Sequence, residues 1–303
     1  MATSQSESLR VLIIGSAGQV GVELQRSFAG FGSIVGVDRE TFDMADAEQT
    51  RALVRRERPD VILNAAAYTA VDRAESEPEI AKAINGEAPR VLAEEALRTS
   101  ALLVHYSTDY VFDGSKRQPW LETDEPNPLS VYGASKLAGE RAIQQVGGRY
   151  LIFRTSWVYG PHGSNFLLTM LRLAGERDRL SIVDDQIGSP TTSIELARAT
   201  HTIVTGVVSG EFGAVPSWAG LYHMTCADSV TWCGFARAIF GRAAAQMNIP
   251  SPELIPIRTD EYPTPAKRPQ YSVLSNRKLF EKFAVCLPRW QDALDEVFRA
   301  LNA

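Results

Sequence analysis

Apolar and polar positions follow two rhythms along this chain. Short runs that are apolar at nearly every position recur at Val11-Leu12-Ile13-Ile14, Ser33–Val37, Val61-Ile62-Leu63-Asn64, Leu102-Leu103-Val104-His105-Tyr106 and Tyr150-Leu151-Ile152-Phe153-Arg154. Runs of that length without alternation predict strands buried on both faces. Between them lie amphipathic stretches at 22–28, 47–57, 78–100 and 130–146, which predict helices, with a cap for 47–57 in the turn that ends at Asp46. Strand then helix, repeated, is the pattern of an α/β fold: a Rossmann-type doubly wound parallel sheet with helices on both faces. Beyond residue 160 the rhythm is less regular. Helices are expected near 165–176, after 191, at 232–247 and at 287–300, with strands near 180–183 and 221–224 and a proline-rich stretch at 255–269. The domain reading is therefore a tail at 1–8, a dinucleotide-binding domain at 9–160 and, at 161–303, mainly a smaller C-terminal α/β substrate lobe. Segments near 180–200 and 221–247 are expected to return to the first domain.

Composition narrows the class. The 303 residues are 45% hydrophobic and 22% charged, with a net charge of −5. No long basic run suggests nucleic acid as a partner, and no apolar run reaches the ~20 residues of a membrane span. Three scattered cysteines, Cys226, Cys233 and Cys286, form neither a disulfide framework nor a standard zinc spacing. Residues 1–8 lack the apolar core of a signal peptide. A cytoplasmic protein without a metal site is the expectation.

Candidate chemistry sits where strands end. Gly15, Gly18 and Gly21 follow the first strand and open the first helix. There a diphosphate needs close backbone approach and free amides at a helix N-terminus. Asp38 lies 17 positions after Gly21, where a carboxylate meets the adenosine ribose hydroxyls and favours NAD, whereas Arg39 beside it suits the 2′-phosphate of NADP. NADPH and NADH both remain open. Asp43 and Met44 are placed against the adenine, and the small residues ending at Ala67 permit close approach of a cofactor. Thr108 ends the fourth strand, and Tyr132 precedes Lys136 by one helical turn. A nicotinamide cofactor carries hydride, Tyr132 donates the proton, Lys136 lowers the phenol pKa and holds the nicotinamide ribose, and Thr108 hydrogen-bonds the carbonyl oxygen. In the C-terminal half, Lys267 and Arg268 could face a substrate phosphate. His105 lies before its strand's end and reads as structural.

The glycine turn, Tyr132-Gly133-Ala134-Ser135-Lys136, Ser107-Thr108-Asp109-Tyr110-Val111-Phe112, Arg154-Thr155-Ser156-Trp157-Val158-Tyr159 and Tyr262-Pro263-Thr264-Pro265-Ala266-Lys267-Arg268-Pro269 together resemble the extended short-chain dehydrogenase/reductase superfamily, in its sugar-nucleotide branch. The resemblance implies reduction of the 4-ketone of dTDP-6-deoxy-L-lyxo-4-hexulose to dTDP-L-rhamnose. It also implies that Gly18, Gln19 and Val20 hold the diphosphate, and that Ala67, Tyr68, Thr69 and Tyr106 line the cofactor channel. Val71, Thr108, Asp109 and Trp157 would contact the sugar nucleotide, with Trp157 as an apolar platform. Some relatives form homodimers around Mg²⁺ held by glutamates. Glu23 matches the first of these, but the C-terminal position falls near Ala300, so a homodimer here would not be metal-bridged. Two other readings share these residues. One is an epimerase or dehydratase that retains its NAD; the other is a non-catalytic subunit resembling the methionine adenosyltransferase β subunit. The Trp157 block and the proline-rich loop favour an enzyme.

Overall fold

In the computed structural model, residues 9–302 are described; the expected tail at 1–8 lies outside them. The elements run β1 (Arg10–Ile14), α1 (Gln19–Ser27), β2 (Ser33–Val37), α2 (Ala47–Glu57), β3 (Val61–Asn64), α3 (Val71–Ala74), α4 (Pro78–Lys82), a π-helical turn (Ala83–Glu87), α5 (Ala88–Thr99), β4 (Leu102–Thr108), a 3₁₀ turn (Asp109–Val111), α6 (Val131–Val146) and β5 (Tyr150–Thr155). Then come β6 (Val158–Tyr159), α7 (Phe166–Ala174), β7 (Arg179–Val183), β8 (Ile187–Gly188), β9 (Thr191–Thr192), α8 (Ser193–Ser209), β10 (Gly220–His223), β11 (Val230–Thr231), α9 (Trp232–Met247), β12 (Glu253–Ile257), α10 (Arg277–Phe283) and α11 (Trp290–Leu301).

The main sheet has the order β10-β5-β4-β3-β1-β2, and every pairing in it is parallel. The strand order reverses between β1 and β3, so a crevice opens at the carboxyl ends of the strands, where ligands bind in such sheets. β1, β3 and β4 are buried along nearly their whole length, which is why they read as unbroken apolar runs. One core layer joins β1, β3 and β4 to α1 and α8 and runs on into the C-terminal helices; the other joins the opposite face to α2 and α5.

Two features depart from the sequence reading. The helix expected over 78–100 is interrupted by the π turn. Pro89 has no amide to close on Asn85, and Gly139 of α6 packs so tightly there that a Cβ would lie 2.2 Å from the Asn85 carbonyl oxygen. Second, β7 does not return to the main sheet: it pairs in parallel with β12 in a separate two-stranded sheet, and α9 packs on α7 and α11 beside it. From the same half, α8 packs on α1 and β10 pairs with β5. Among the described residues no helix is long and apolar enough to cross a membrane.

Candidate active site

The turn after β1 is built by backbone geometry. Gly15 has φ +82°, and a Cβ there would lie 2.7 Å from the Ala66 amide nitrogen. A Cβ on Gly21 would fall 2.0 Å from the Gly15 carbonyl oxygen, so α1 can begin this close to β1 only with glycine. Gly18 caps α1 without a side chain, and no acidic residue sits in the first turn, which leaves the amides at Gln19 and Val20 for an anion. Gln19 reaches away, accepting from Asn165 Nδ2 at 2.9 Å. Asp38 follows β2, its carboxylate accepting from the Glu40 amide at 3.0 Å, and Arg39 beside it is exposed. Asp43 is exposed, whereas Met44 is buried in the core with Phe42, Leu53 and Val54, so of this pair only Asp43 presents its side chain at the surface. The tight turn, uncapped helix and strand-end carboxylate fit a dinucleotide.

Thr108 ends β4. Its hydroxyl accepts from the Tyr110 amide at 3.1 Å and donates to Asp109 Oδ1 at 3.1 Å. Asp109 is buried and also accepts from Ser156 Oγ at 2.8 Å. Burial pushes its carboxyl up to about 6, against hydrogen bonds from Ser272, Ser156 and Thr108. Ser130 caps α6 by accepting from the Gly133 amide, which sets Tyr132 in the first turn over the end of β4. Gly133 permits that approach, since a Cβ would lie 2.2 Å from the Tyr110 carbonyl oxygen. Tyr110 meets Tyr132 edge to face at 5.9 Å.

The phenol and the ammonium differ from expectation. Burial raises Tyr132 to about 12; the Thr108 hydroxyl acts in the opposite direction and the Asp109 charge in the same one. Lys136 is fully buried, and burial lowers it to about 8 against the pull of Glu140. Its Nζ donates to the Tyr106 carbonyl at 2.6 Å and reaches His105 Nε2 at 3.3 Å. Desolvation dominates at the phenol, and the Lys136 ammonium is held against β4. Both groups remain protonated at neutral pH, which suits a proton donor. Tyr106 contributes its carbonyl only. Its side chain takes the opposite face of β4 from His105 and bonds Thr200 on α8 at 2.7 Å, so it does not line the cleft with Lys136.

Beyond β3, Ala67 and Tyr68 are half-buried and Thr69 is exposed. The Tyr68 phenol donates to Glu77. Asn85, in the π turn, clamps the Tyr68 backbone at 2.9 and 3.0 Å and donates to Ser135 Oγ at 3.0 Å; Ser135 in turn donates to the Tyr132 carbonyl at 2.8 Å. Asn85 thus ties the cofactor side to the tyrosine, a role no motif signalled. Ser107 and Arg154 stand in the motif blocks without an assigned role; here Arg154 pairs with buried Glu140 at 2.6 and 2.9 Å, and Ser107 donates to Glu140 at 2.5 Å.

Trp157 is half-buried with φ +47°, a strained conformation for such a side chain. Its indole stacks on Trp232 at 3.5 Å, and Gly188 lies so close that a Cβ would come within 2.4 Å of the ring. Val71 opens α3, and the adjacent Asp72 pairs with Arg268 at 2.7 Å. Arg268 is committed to this ion pair rather than free for a phosphate, while Lys267 is exposed. Glu23 is buried against Arg26 at 2.8 Å, and Ala300 is exposed on α11. Among the described residues no group of three His, Cys, Asp or Glu gathers.

A parallel sheet with a glycine turn feeding an uncapped helix, and a strand-end threonine facing Tyr-x3-Lys, define a Rossmann-type oxidoreductase of the short-chain dehydrogenase/reductase kind. More particularly, the chain belongs to the family described as RmlD substrate binding domain, which matches residues 9–303. It is 47% identical over 299 residues to the dTDP-4-dehydrorhamnose reductase of Burkholderia thailandensis, covering 97% of this chain and 99% of that one. To the enzyme of the same name from Escherichia coli K12 it is 43% identical over 298 residues, covering 97% and 98%. The crystal structure of dTDP-4-dehydrorhamnose reductase from Bacillus anthracis in complex with NADP superposes with a TM-score of 0.88 at 35% identity, covering 97% of this chain and 99% of that one.

Proposed function

We propose that this protein reduces the 4-ketone of dTDP-6-deoxy-L-lyxo-4-hexulose to dTDP-L-rhamnose, using NADPH or NADH. The observation that carries the reading is the convergence of Thr108, Tyr132 and Lys136 at the carboxyl end of β4, in a chain so similar over its full length to reductases of that name. Gly18, Gln19 and Val20 would hold the diphosphate, Asp38 the adenosine ribose, and exposed Arg39 a 2′-phosphate if the cofactor is NADPH. When bound, the reduced nicotinamide supplies the hydride.

The chain's own groups do the rest. Tyr132, protonated at neutral pH, gives its proton to the carbonyl oxygen as negative charge develops there. Thr108 turns its hydroxyl hydrogen from Asp109 to that oxygen. Lys136, one turn on, supplies the positive charge that offsets the phenolate and the donors for the ribose hydroxyls. Trp157, fixed against Trp232, offers its remaining surface to the deoxysugar. The sugar nucleotide is the small-molecule partner, and the reaction is placed in the cytoplasm.

The test supplies dTDP-4-keto-6-deoxyglucose with a 3,5-epimerase and follows loss of reduced-cofactor absorbance. Oxidation dependent on both sugar and protein is expected. Tightly bound NAD surviving purification, with no net oxidation, would point instead to an epimerase or dehydratase.

A further inference from the structure

We propose that His105 is a positioning residue for Lys136: its neutral imidazole accepts a hydrogen bond from the ammonium and, with the Tyr106 carbonyl, fixes where Nζ waits. This rests on the proposed reading of Lys136 as the ribose-holding, charge-supplying group.

His105 is 1% exposed and turns from β4 toward α6. Nε2 lies 3.3 Å from Lys136 Nζ, and Nδ1 lies 3.0 Å from the Asn64 amide. An ammonium has only donors, so Nε2 must be the acceptor and the ring's single hydrogen sits on Nδ1. Asn64 must then present its oxygen to Nδ1. With its nitrogen placed there, Asn64 Oδ1 is a buried acceptor without a partner. Exchanging the two amide positions lets Asn64 Oδ1 accept from the Nδ1 hydrogen and removes that orphaned acceptor. The result is a directed chain: Lys136 donates to His105, and His105 donates to Asn64 at the end of β3.

The surroundings keep the ring neutral. Burial and the Lys136 charge both oppose an imidazolium. From α6, Glu140 faces Lys136, but it is bound in two-pronged fashion to Arg154 of β5. Asn64 of β3, on the Nδ1 side, is uncharged. An apolar residue at 105 would leave the buried ammonium one acceptor short.

The test reads Lys136 itself, without cofactor or turnover, by NMR of lysine-labelled protein, its resonance assigned with Lys136→Met. The wild-type midpoint is expected near 8. His105→Leu removes the acceptor and is expected to lower that midpoint by about one unit. His105→Gln keeps an acceptor near Nε2 and should restore it. His105→Asn, whose oxygen reaches only as far as Nδ1, should not. If His105→Leu does not fold, Gln against Asn decides. An unchanged midpoint in Leu, or equal midpoints in Gln and Asn, overturns the proposal. Should the wild-type protein fail to reduce the ketosugar, the titration still stands or falls alone, so the two failures are separable.

Discussion

Arg268 grips Asp72 with both terminal nitrogens, Nη2 to Oδ2 at 2.7 Å and Nη1 to Oδ1 at 3.1 Å, although 196 positions separate them in the chain. Nη1 also donates to Thr264 Oγ1 at 2.6 Å and to the Ala266 carbonyl at 3.1 Å. The pair latches the proline-rich segment onto α3 beside the cleft, and the guanidinium holds the Asp72 carboxyl below its usual range. Arg268→Ala is expected to raise KM for the sugar nucleotide by roughly ten- to hundredfold, since one charge-assisted contact is worth roughly 1.5–3 kcal/mol. NADPH affinity should not change. Steady-state kinetics beside cofactor fluorescence titration checks both; equal loss of both would mean that the latch serves the whole fold.

Tyr132→Phe keeps the ring against Tyr110 and removes only the hydroxyl. Turnover should fall by about 10²–10⁴, the usual worth of a positioned proton donor, with NADPH binding preserved. Near-wild-type turnover would mean that another group supplies the proton.

Gly188 leaves room for Trp157. A methyl there would come within 2.4 Å of the indole, so Gly188→Ala must displace the ring or the β8–β11 pair. The expected outcome is a rise of roughly ten- to hundredfold in KM for the sugar nucleotide, with cofactor affinity kept. A KM equal to wild type would remove Trp157 from the substrate site.

Asp109 gives the protein a pH signature. Folded, its carboxyl holds a proton up to about 6; unfolded, only to about 4. Between those values the folded chain binds more protons, so this group's contribution to stability falls as pH rises through the window and is level above it. In calorimetry, Tm of Asp109→Asn relative to wild type should climb from pH 4 to 6 and then level off. A flat difference would mean that the carboxyl titrates normally.

Much of the sheet was legible because β1, β3, β4 and β5 are buried on both faces and so read as apolar runs. Thr108, Tyr132 and Lys136 were legible because the pairing is local, one helical turn, and the strand end is marked by the apolar run before it. What stayed hidden depends on contacts between distant segments. Period 2 along β4 says that Tyr106 and His105 face opposite ways, but not which face meets Lys136. β7 carries its own strand signal, yet only β12, far along the chain, decides that it leaves the main sheet. The π turn needed Pro89 and the close approach of Gly139 together. The Asp72–Arg268 latch and the Trp157–Trp232 stack have no local trace at all.

Labelled cofactor follows the hydride from nicotinamide to sugar. NADPH carrying deuterium at nicotinamide C4, on the face the enzyme uses, is incubated with the 4-ketosugar and the wild-type protein, and the product is read by mass spectrometry and NMR. The prediction is one deuterium at sugar C4 of dTDP-L-rhamnose for each NADP⁺ formed. Product without deuterium, or no NADP⁺ formed while the sugar isomerises, would contradict it.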